Sequence, residues 1–234
     1  MSFGLGHGRS LDDAPGVVGI SRAELPPLPD AALSDPNAGR LDPRTWFHHP
    51  TRPFEIEIGC GKGTYILAEA AANPTINFLA IEWAREFYLY AADRVRRRAL
   101  PNVRVLHADA SEFLQWRCPD AIVRTIHLYY SDPWPKSRHH KNRVVQDAFL
   151  THVWRVLIPG GQLRLVTDHP DLWVWYQSHI ARWSAPTHAP RFDLLPFTPP
   201  DWTDDDELVG TNYERKTRAA GRPPNACVLQ KPLP

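Results

Sequence analysis

Short apolar runs alternate with amphipathic stretches through the middle of the chain, beginning at Phe54. The runs are rich in Ile, Val, Leu and aromatic residues and predict five strands: Phe54–Ile58, Asn77–Glu82, Val103–His107, Thr125–Tyr130 and Gln162–Thr167. Apolar positions at helical spacing predict four helices between them: Thr64–Ala72, Arg85–Ala99, Ser111–Trp116 and Val144–Leu157. A last strand is expected near Ala226–Lys231. This alternation predicts an α/β fold, with a parallel sheet covered by helices.

Proline distinguishes the two ends of the chain from this middle region. Of 24 prolines, eight lie in residues 1–53 and nine in residues 184–234. Proline lacks a backbone donor and restricts the residue before it, so both ends are expected to be irregular. We expect residues 1–50 to form an extended or partly disordered N-terminal arm and residues 51–234 to form one domain.

Composition narrows the class of protein. With 43% hydrophobic and 23% charged residues, a chain of 234 residues can bury a substantial core. No stretch is as long and apolar as a spanning helix, and the N-terminal residues lack the features of a secretory signal, so a cytoplasmic protein without membrane contact is expected. The three cysteines are far apart and have no CxxC spacing, which argues against a disulfide framework and a structural zinc site. No metal is expected.

The net charge of +1 conceals strong segregation of charge along the chain. Basic residues cluster at residues 94–98, 136–143 and 215–222, and an acidic block at residues 201–207 offsets one of these clusters. The first cluster is expected to be a solvated helix face. The two later clusters adjoin residues that are candidates for catalysis or substrate binding. Two histidines within the second are expected to be surface residues, because no third metal ligand has a recognisable spacing.

A carboxylate stands at or just after the end of each predicted strand of the middle region. In chain order these residues are Glu57, Glu82, Asp109, Asp132 and Asp168. The carboxyl ends of parallel strands meet at one edge of a sheet, where functional residues are commonly placed. A single carboxylate there can simply cap the next helix, as Asp109 could do. Five carboxylates at corresponding ends of successive strands indicate a site for a cationic or donor-rich ligand, because clustered like charges otherwise repel one another.

A glycine-rich turn joins the first of these strands to the first helix, in the run E-I-G-C-G-K-G that begins at Glu57. A dinucleotide fingerprint would need Gly or Ala where this chain has Thr64, and the Walker phosphate loop is absent. The pattern resembles that of methyltransferases that use S-adenosylmethionine. In such a site Glu57 would attract the cationic groups of the cofactor, Glu82 its ribose hydroxyls and Asp109 its adenine amino group. Three glycines would let it approach the backbone, namely Gly59, Gly61 and Gly63.

The segment after the fourth strand is more specific. Residues 131–143 have the sequence S-D-P-W-P-K-S-R-H-H-K-N-R. Its pattern D-P-W-x-K-x-R-H-x-K-x-R is similar to that of the bacterial tRNA (guanine-N7)-methyltransferase family. The resemblance continues with the T-D pair after the fifth strand and with T-N-Y-E-R over residues 211–215, and it covers about residues 54–232. Ser131, Pro135 and Lys216 depart from the family pattern, which often has proline, histidine and glycine there.

This resemblance implies a class I methyltransferase, with a Rossmann-like, seven-stranded, mostly parallel sheet and helices on both faces. It implies methyl transfer from S-adenosyl-L-methionine to N7 of a guanosine in tRNA, expected at position 46, with a substrate-binding segment at the C-terminal end of the domain. The implied cofactor-side residues are Glu57, Gly59, Gly61, Gly63, Glu82, Asp109 and Asp132. Asp132 is also the implied catalytic residue. The implied substrate-side residues are Lys136, Asp168, Thr211, Asn212, Tyr213 and Glu214. Monomer and homodimer both stay open.

The chemistry of the substrate agrees with these roles. Guanine N7 carries an in-plane lone pair and no proton, so the reaction needs positioning rather than a general base. Carboxylates at Asp132, Asp168 and Glu214 would accept hydrogen bonds from the base and stabilise its developing positive charge. Trp134 or Tyr213 could stack on an exposed base, although Trp134 could equally be a core residue. Phosphate contacts are expected from Lys136, Arg138, Lys141, Arg143, Arg215 and Arg218.

Two other classes of function stay open on the sequence. A methyltransferase for a small molecule or a protein would keep the glycine loop, but it has no need of a basic run directly after D-P-W-P. A non-catalytic RNA-binding scaffold could retain the fold, but it would not need the carboxylates at positions 57, 82, 109 and 132 together. A nicotinamide enzyme is excluded by Thr64.

Overall fold

The computed structural model of the protein describes Leu11 and residues 18–234. The chain divides into two compact units, with the boundary between Pro119 and Asp120. Each unit contributes four of the strands found among the described residues. Within that part of the chain, no helix is both long and apolar enough to cross a membrane.

The first unit is a parallel α/β layer. Its strands are β1 (Gly19–Ser21), β2 (Phe54–Ile58), β3 (Asn77–Glu82) and β4 (Val103–His107), in the sheet order β1-β4-β3-β2. Its helices are α1 (Thr64–Ala72), α2 (Arg85–Arg97) and α3 (Ala110–Trp116). Every residue of β2 and β3 is buried, as is typical of parallel strands that helices cover. In the strand register Glu57 lies opposite Ala80, and Glu82 lies opposite His107, so the carboxyl ends of β2, β3 and β4 meet at one edge.

Residues 19–46 are more ordered than the extended arm expected from the sequence. Strand β1 pairs with β4, and four single 3-10 turns follow it, at Arg22–Glu24, Asp30–Leu33, Pro36–Gly39 and Pro43–Trp46. Arg40 Nη1 donates to the Gln115 and Cys118 carbonyls near the end of α3, at 2.7 and 2.9 Å. Such short turns have no hydrophobic period, so the sequence pattern does not reveal them. Residues 1–10 and 12–17 of the expected arm lie outside the described residues.

The second unit has a mixed sheet. Its strands are β5 (Val123–Tyr129), β6 (Leu157–Thr167), β7 (Asp193–Leu195) and β8 (Asn225–Gln230), in the order β5-β6-β8-β7. Strands β5 and β6 are parallel, whereas β8 is antiparallel to β6 and β7. Its helices are α4 (Asp147–Val156), α5 (Pro170–Trp183) and α6 (Asn212–Ala219), and a 3-10 turn spans Ser137–Asn142.

The mostly parallel α/β fold predicted from the sequence is confirmed. The bounds predicted for β2, β3, β4 and α1 are those observed. The expected number of seven strands is one too low for the described residues, which contain eight. Strands β1 and β7 have three residues each, too few to show an alternating pattern.

Strand β6 also begins earlier than predicted, at Leu157 rather than Gln162. The run of proline and glycines at residues 159–161 lies within the strand, where the register with β5 shifts between Val123 and Thr125. An added Cβ atom at Gly161 would lie 2.8 Å from the Ile158 carbonyl oxygen, so glycine is required at this irregularity. The proline and glycines, which in sequence suggest a turn, therefore mark an irregularity within strand β6.

Candidate functional site

The glycine loop of the first unit joins β2 to α1. Gly59, Gly61 and Gly63 have φ angles of 71°, 52° and 69°, in the left-handed region that favours glycine. An added Cβ atom at Gly59 or Gly61 would meet no atom within 4 Å, whereas one at Gly63 would lie 3.3 Å from the Ala91 Cβ atom. The first two glycines therefore border open space, and the third allows close packing against α2.

Glu57, near the end of β2, is buried beside this loop. Burial, with the charge of Glu82 as the next cause, raises the pKa of Glu57 to about 8, and a hydrogen bond from the Ile66 backbone opposes the rise. The Glu57 Oε2 atom is buried and has no hydrogen-bond partner within the described part of the chain. Because an unpaired buried carboxylate oxygen is costly, this atom is suited to a cationic or donor group.

Glu82 and Asp109 are already engaged by the backbone. Glu82 Oε2 accepts from the Gly61 N–H and Oε1 from the Ala84 N–H, both at 2.8 Å, so this residue ties the glycine loop to the end of β3. Asp109 Oδ1 accepts from the Ser111 N–H at 2.8 Å and caps α3. A carboxylate has about four lone-pair positions, so both residues keep acceptor capacity for a ligand.

The loop after β5 in the second unit contains the D-P-W-P motif, residues 132–135. Tyr130, just before the motif, and Trp134, within it, have positive φ angles of 53° and 42°. Residues with large side chains rarely adopt this conformation, and they do so most often at functional sites. A positive φ angle at such residues persists only where surrounding contacts stabilise it, so other side chains must anchor this loop.

Two side chains from elsewhere in the second unit anchor this loop. Arg143 is only 2% exposed; its Nε atom donates to the Pro133 carbonyl at 3.0 Å, and its guanidinium lies 5.3 Å from the centre of the Trp175 ring. The Ser131 and Tyr176 hydroxyls form a hydrogen bond of 2.7 Å. The prediction that Arg143 contacts phosphate is therefore wrong, because its guanidinium is buried and holds the motif in place.

Asp132, Asp168 and Tyr213 lie together beside this loop. Asp168, directly after β6, is buried, and its Oδ1 atom accepts from the Tyr213 hydroxyl at 3.4 Å. Its Oδ2 atom lies 3.4 Å from Arg222 Nη1, without the geometry of a hydrogen bond. Burial raises the pKa of Tyr213, and the nearby charges of Asp168 and Asp132 raise it further. Asp132 itself is exposed. The arrangement offers carboxylates and an aromatic ring to one ligand.

The T-N-Y-E run forms the start of α6. Thr211 caps the helix, and its Oγ1 atom accepts from the Glu214 N–H at 3.1 Å. Glu214 is fully buried, and its two oxygens accept from the backbone N–H groups of residues 208–210 at 2.6 to 3.1 Å and from Arg218. The predicted contact of Glu214 with guanine does not fit this geometry, because these donors occupy both oxygens. Glu214 instead holds the loop that places Tyr213.

The basic residues expected at phosphate differ in their surroundings. Arg215 is paired with Glu207 and also donates to Asn212 Oδ1 at 3.2 Å, while Arg218 is paired with Glu214. Three others are exposed at the 3-10 turn after the D-P-W-P motif: Lys136, Arg138 and Lys141. These three side chains remain accessible to a polyanion, whereas the two arginines of α6, of which Arg215 is also exposed, are engaged by carboxylates of the same unit.

Comparison with known proteins places the chain in a family. A family model described as "Putative methyltransferase" matches residues 51–224. The tRNA (guanine-N(7)-)-methyltransferase of Nitrobacter hamburgensis is 38% identical over 196 residues, which cover 83% of this chain and 74% of that protein. The tRNA (guanine-N(7)-)-methyltransferase of Geobacillus thermodenitrificans is 31% identical over 215 residues, which cover 91% of this chain and 94% of that protein. The chain belongs to the tRNA (guanine-N(7)-)-methyltransferase family.

A solved structure agrees on the fold of this methyltransferase family member. The aminoglycoside resistance methyltransferase NpmB1 superposes with a TM-score of 0.50 and 15% identity, over 91% of this chain and 98% of that chain. At such low identity the likeness concerns the fold alone.

Three residues of the second unit that shape the site were not predicted from the sequence. Tyr130 carries a signal, since an aromatic residue directly precedes the S-D-P-W-P run. In the sequence Arg222 is only one member of a basic cluster, and its proximity to Asp168 depends on the fold. Tyr176 lies on α5, which was not predicted although apolar residues recur there at helical spacing.

Proposed function

We propose that this chain transfers a methyl group from S-adenosylmethionine to N7 of a guanosine in tRNA. The observation that carries the proposal is a pair of buried carboxylate oxygens without donors among the described residues, Glu57 Oε2 in the first unit and Asp168 Oδ2 in the second. The first suits a cationic cofactor, and the second suits a base that donates hydrogen bonds. Family membership supports the assignment, since the relatives are named for this reaction.

The residues of the first unit fit S-adenosylmethionine. Open space at Gly59 and Gly61 would admit the methionine moiety close to the backbone. Glu57 is suited to its sulfonium or ammonium group, Glu82 to the ribose hydroxyls and Asp109 to the adenine amino group. When bound, the cofactor supplies an electrophilic methyl group.

The residues of the second unit bind and orient the base. Guanine N7 has a lone pair in the ring plane and no proton, so no side chain has to act as a general base. Asp168 would accept from the guanine N1–H or amino group. Asp132, exposed in the strained loop, would stabilise the positive charge that develops on the purine. Tyr213 is 51% exposed and offers a ring face on which a base can stack.

The exposed basic turn would bind the RNA backbone. Lys136, Arg138 and Lys141 would meet phosphates and orient the tRNA, without contributing to the choice of base. Thr211, Asn212 and Glu214 would act on the substrate through Tyr213, because they organise the start of α6.

The proposal is tested by incubating the protein with methyl-labelled S-adenosylmethionine and unmodified tRNA, then digesting the RNA and identifying the labelled nucleoside. We expect 7-methylguanosine. A matched tRNA with 7-deazaguanosine at the target position keeps the base's hydrogen-bonding edge but lacks N7, and it should accept no label there. Label in another nucleoside, or labelling only of a small molecule or protein, would reject the proposal.

A further inference from the structure

Tyr130 carries a second buried polar atom, besides Asp168 Oδ2, among the candidate substrate residues of the second unit. Its hydroxyl is buried and has no hydrogen-bond partner among the residues that the structure describes. The backbone holds the ring in place, because the Tyr130 N–H donates to the Val166 carbonyl at 2.8 Å and the residue keeps its positive φ angle. A buried hydroxyl without a partner is costly, so a hydroxyl kept at this position indicates a contact that a substrate can supply.

The hydroxyl of Tyr130 belongs to the same cluster as Asp168. The rings of Tyr130 and Tyr213 pack with their centroids 4.9 Å apart, and the Tyr213 hydroxyl donates to Asp168 Oδ1. Burial raises the pKa of Tyr130, and the charges of Glu214 and Asp168 add to the rise, so its hydroxyl keeps its proton and can donate. Arg222, which is half exposed, balances the charge of Asp168 without a hydrogen bond to Oδ2.

We propose that Tyr130 and Asp168 together select guanine, with the Tyr130 hydroxyl donating to guanine O6 while Asp168 Oδ2 accepts from N1–H or the exocyclic amino group. The inference rests on the proposed function and adds Tyr130 as its specificity-determining residue.

The pair of contacts distinguishes guanine from adenine by hydrogen-bond direction. Guanine presents an acceptor at O6 and donors at N1 and the amino group. Adenine presents a donor amino group where guanine has O6, and an acceptor at N1. Adenine would therefore leave both the Tyr130 hydroxyl and Asp168 unpaired in a buried site, which is the most effective way for a site to reject an analogue. Neither contact uses N7, which stays available for methylation.

The test removes the hydroxyl from the protein and the oxygen from the base in turn. Tyr130→Phe deletes only the hydroxyl, and a tRNA with 2-aminopurine riboside at the target position keeps N7 and the amino group but lacks O6 and the N1 proton. Methyl-transfer rates and tRNA affinities are measured for both substrates with both proteins. Tyr90→Phe, which removes the hydroxyl of a partly buried tyrosine on α2, is the control variant.

We expect Tyr130→Phe to lower kcat/KM on guanosine by roughly 10- to 100-fold and to change the rate and affinity for 2-aminopurine by less than about twofold. Tyr90→Phe should match the wild type on both, and cofactor affinity should be equal in all three proteins. An equal loss on both substrates, or no loss on guanosine, would overturn the role of Tyr130. Failure of the wild-type protein to methylate guanosine in tRNA would instead reject the proposed function.

Discussion

The glycine loop of the first unit and the D-P-W-P loop of the second are held by different means. The glycine loop is tied by the carboxylate of Glu82 at the end of β3, which accepts from the backbone N–H groups of Gly61 and Ala84. In the D-P-W-P loop the Pro133 carbonyl accepts from Arg143, ten residues along the chain, and the Ser131 hydroxyl bonds to Tyr176 on α5. The first loop therefore combines glycine backbone angles with one carboxylate that accepts from its backbone, whereas the second has positive φ angles at non-glycine residues and is held by two buried side chains.

The carboxylates of the two units also differ in their surroundings. Glu57 and Glu82 are buried at the ends of adjacent strands, where the sheet register brings them together. Asp132 is exposed in a strained loop, and Asp168 is buried next to tyrosines from other elements. Because the two sets have separate supports, we expect substitutions to separate cofactor binding from substrate binding and transfer.

The largest effect is expected for Asp132→Ala. Removing a carboxylate that acts on transition-state charge should lower kcat by about 10²-fold or more, with a much smaller change in cofactor affinity. Single-turnover methyl transfer and calorimetry measure the two quantities, and circular dichroism checks the fold. A folded variant with wild-type turnover would contradict this role of Asp132.

Substitutions in the basic turn should affect tRNA binding alone. Replacing Lys136, Arg138 and Lys141 by Ala should reduce the magnitude of the slope of log K against log salt by roughly 2–3. Each phosphate contact that is removed no longer releases counterions when the tRNA binds. Between 50 and 200 mM salt, the variant should then lose roughly 40-fold less affinity than the wild type. Arg215→Ala is the matched control, since Arg215 is paired with Glu207 and should leave the slope nearly unchanged. An unaltered slope in the triple variant would make the turn a solvated surface.

Glu82→Ala should affect cofactor binding alone. We expect S-adenosylmethionine to bind more weakly by about 1–3 kcal/mol, through loss of ribose contacts and of the bonds that hold the glycine loop. Calorimetry measures the change, and tRNA affinity should be retained. Glu82→Gln keeps an acceptor but introduces a donor facing backbone N–H groups, so it should also bind the cofactor weakly. Wild-type cofactor affinity in both variants would mean that Glu82 is not a ligand.

The smallest effect for a single step, here one pH unit, concerns the pH dependence of cofactor binding. Since burial raises the pKa of Glu57 to about 8, a cationic ligand at its side chain should release a proton on binding below that pH. Affinity should rise by up to about tenfold per pH unit between about pH 6 and 8 and level off above it. Glu57→Gln should abolish this slope. An equally steep slope in that variant would place the released proton on another group.

Glu57 should also impose the opposite pH trend on the stability of the unliganded protein. Its folded pKa of about 8 lies above the ordinary value of 4.5, so the folded state holds the extra proton between these two values. The free energy of unfolding should therefore fall as the pH rises through this window, and the Gln variant should not show this contribution. Denaturant unfolding at a series of pH values measures it.

The sequence by itself determined the features that near neighbours encode. Strands β2, β3 and β4 and helix α1 follow from the local period of apolar residues, and the glycine loop follows from backbone angles that favour glycine. The order of motifs along the chain also led to the correct family, and the ends of parallel strands indicated where carboxylates would meet.

Only the tertiary structure decided which charged and polar side chains are exposed and what they contact. Arg143 and Lys141 lie in one basic run, yet the first is buried against Trp175 while the second is exposed. Glu214 belongs to the T-N-Y-E run expected to bind substrate, but its carboxylate oxygens accept hydrogen bonds from backbone N–H groups. Tyr130 has a buried hydroxyl without a partner among the described residues. The physical reason is that burial and hydrogen-bond partners are set by elements far apart in the chain, which no local pattern of residues specifies.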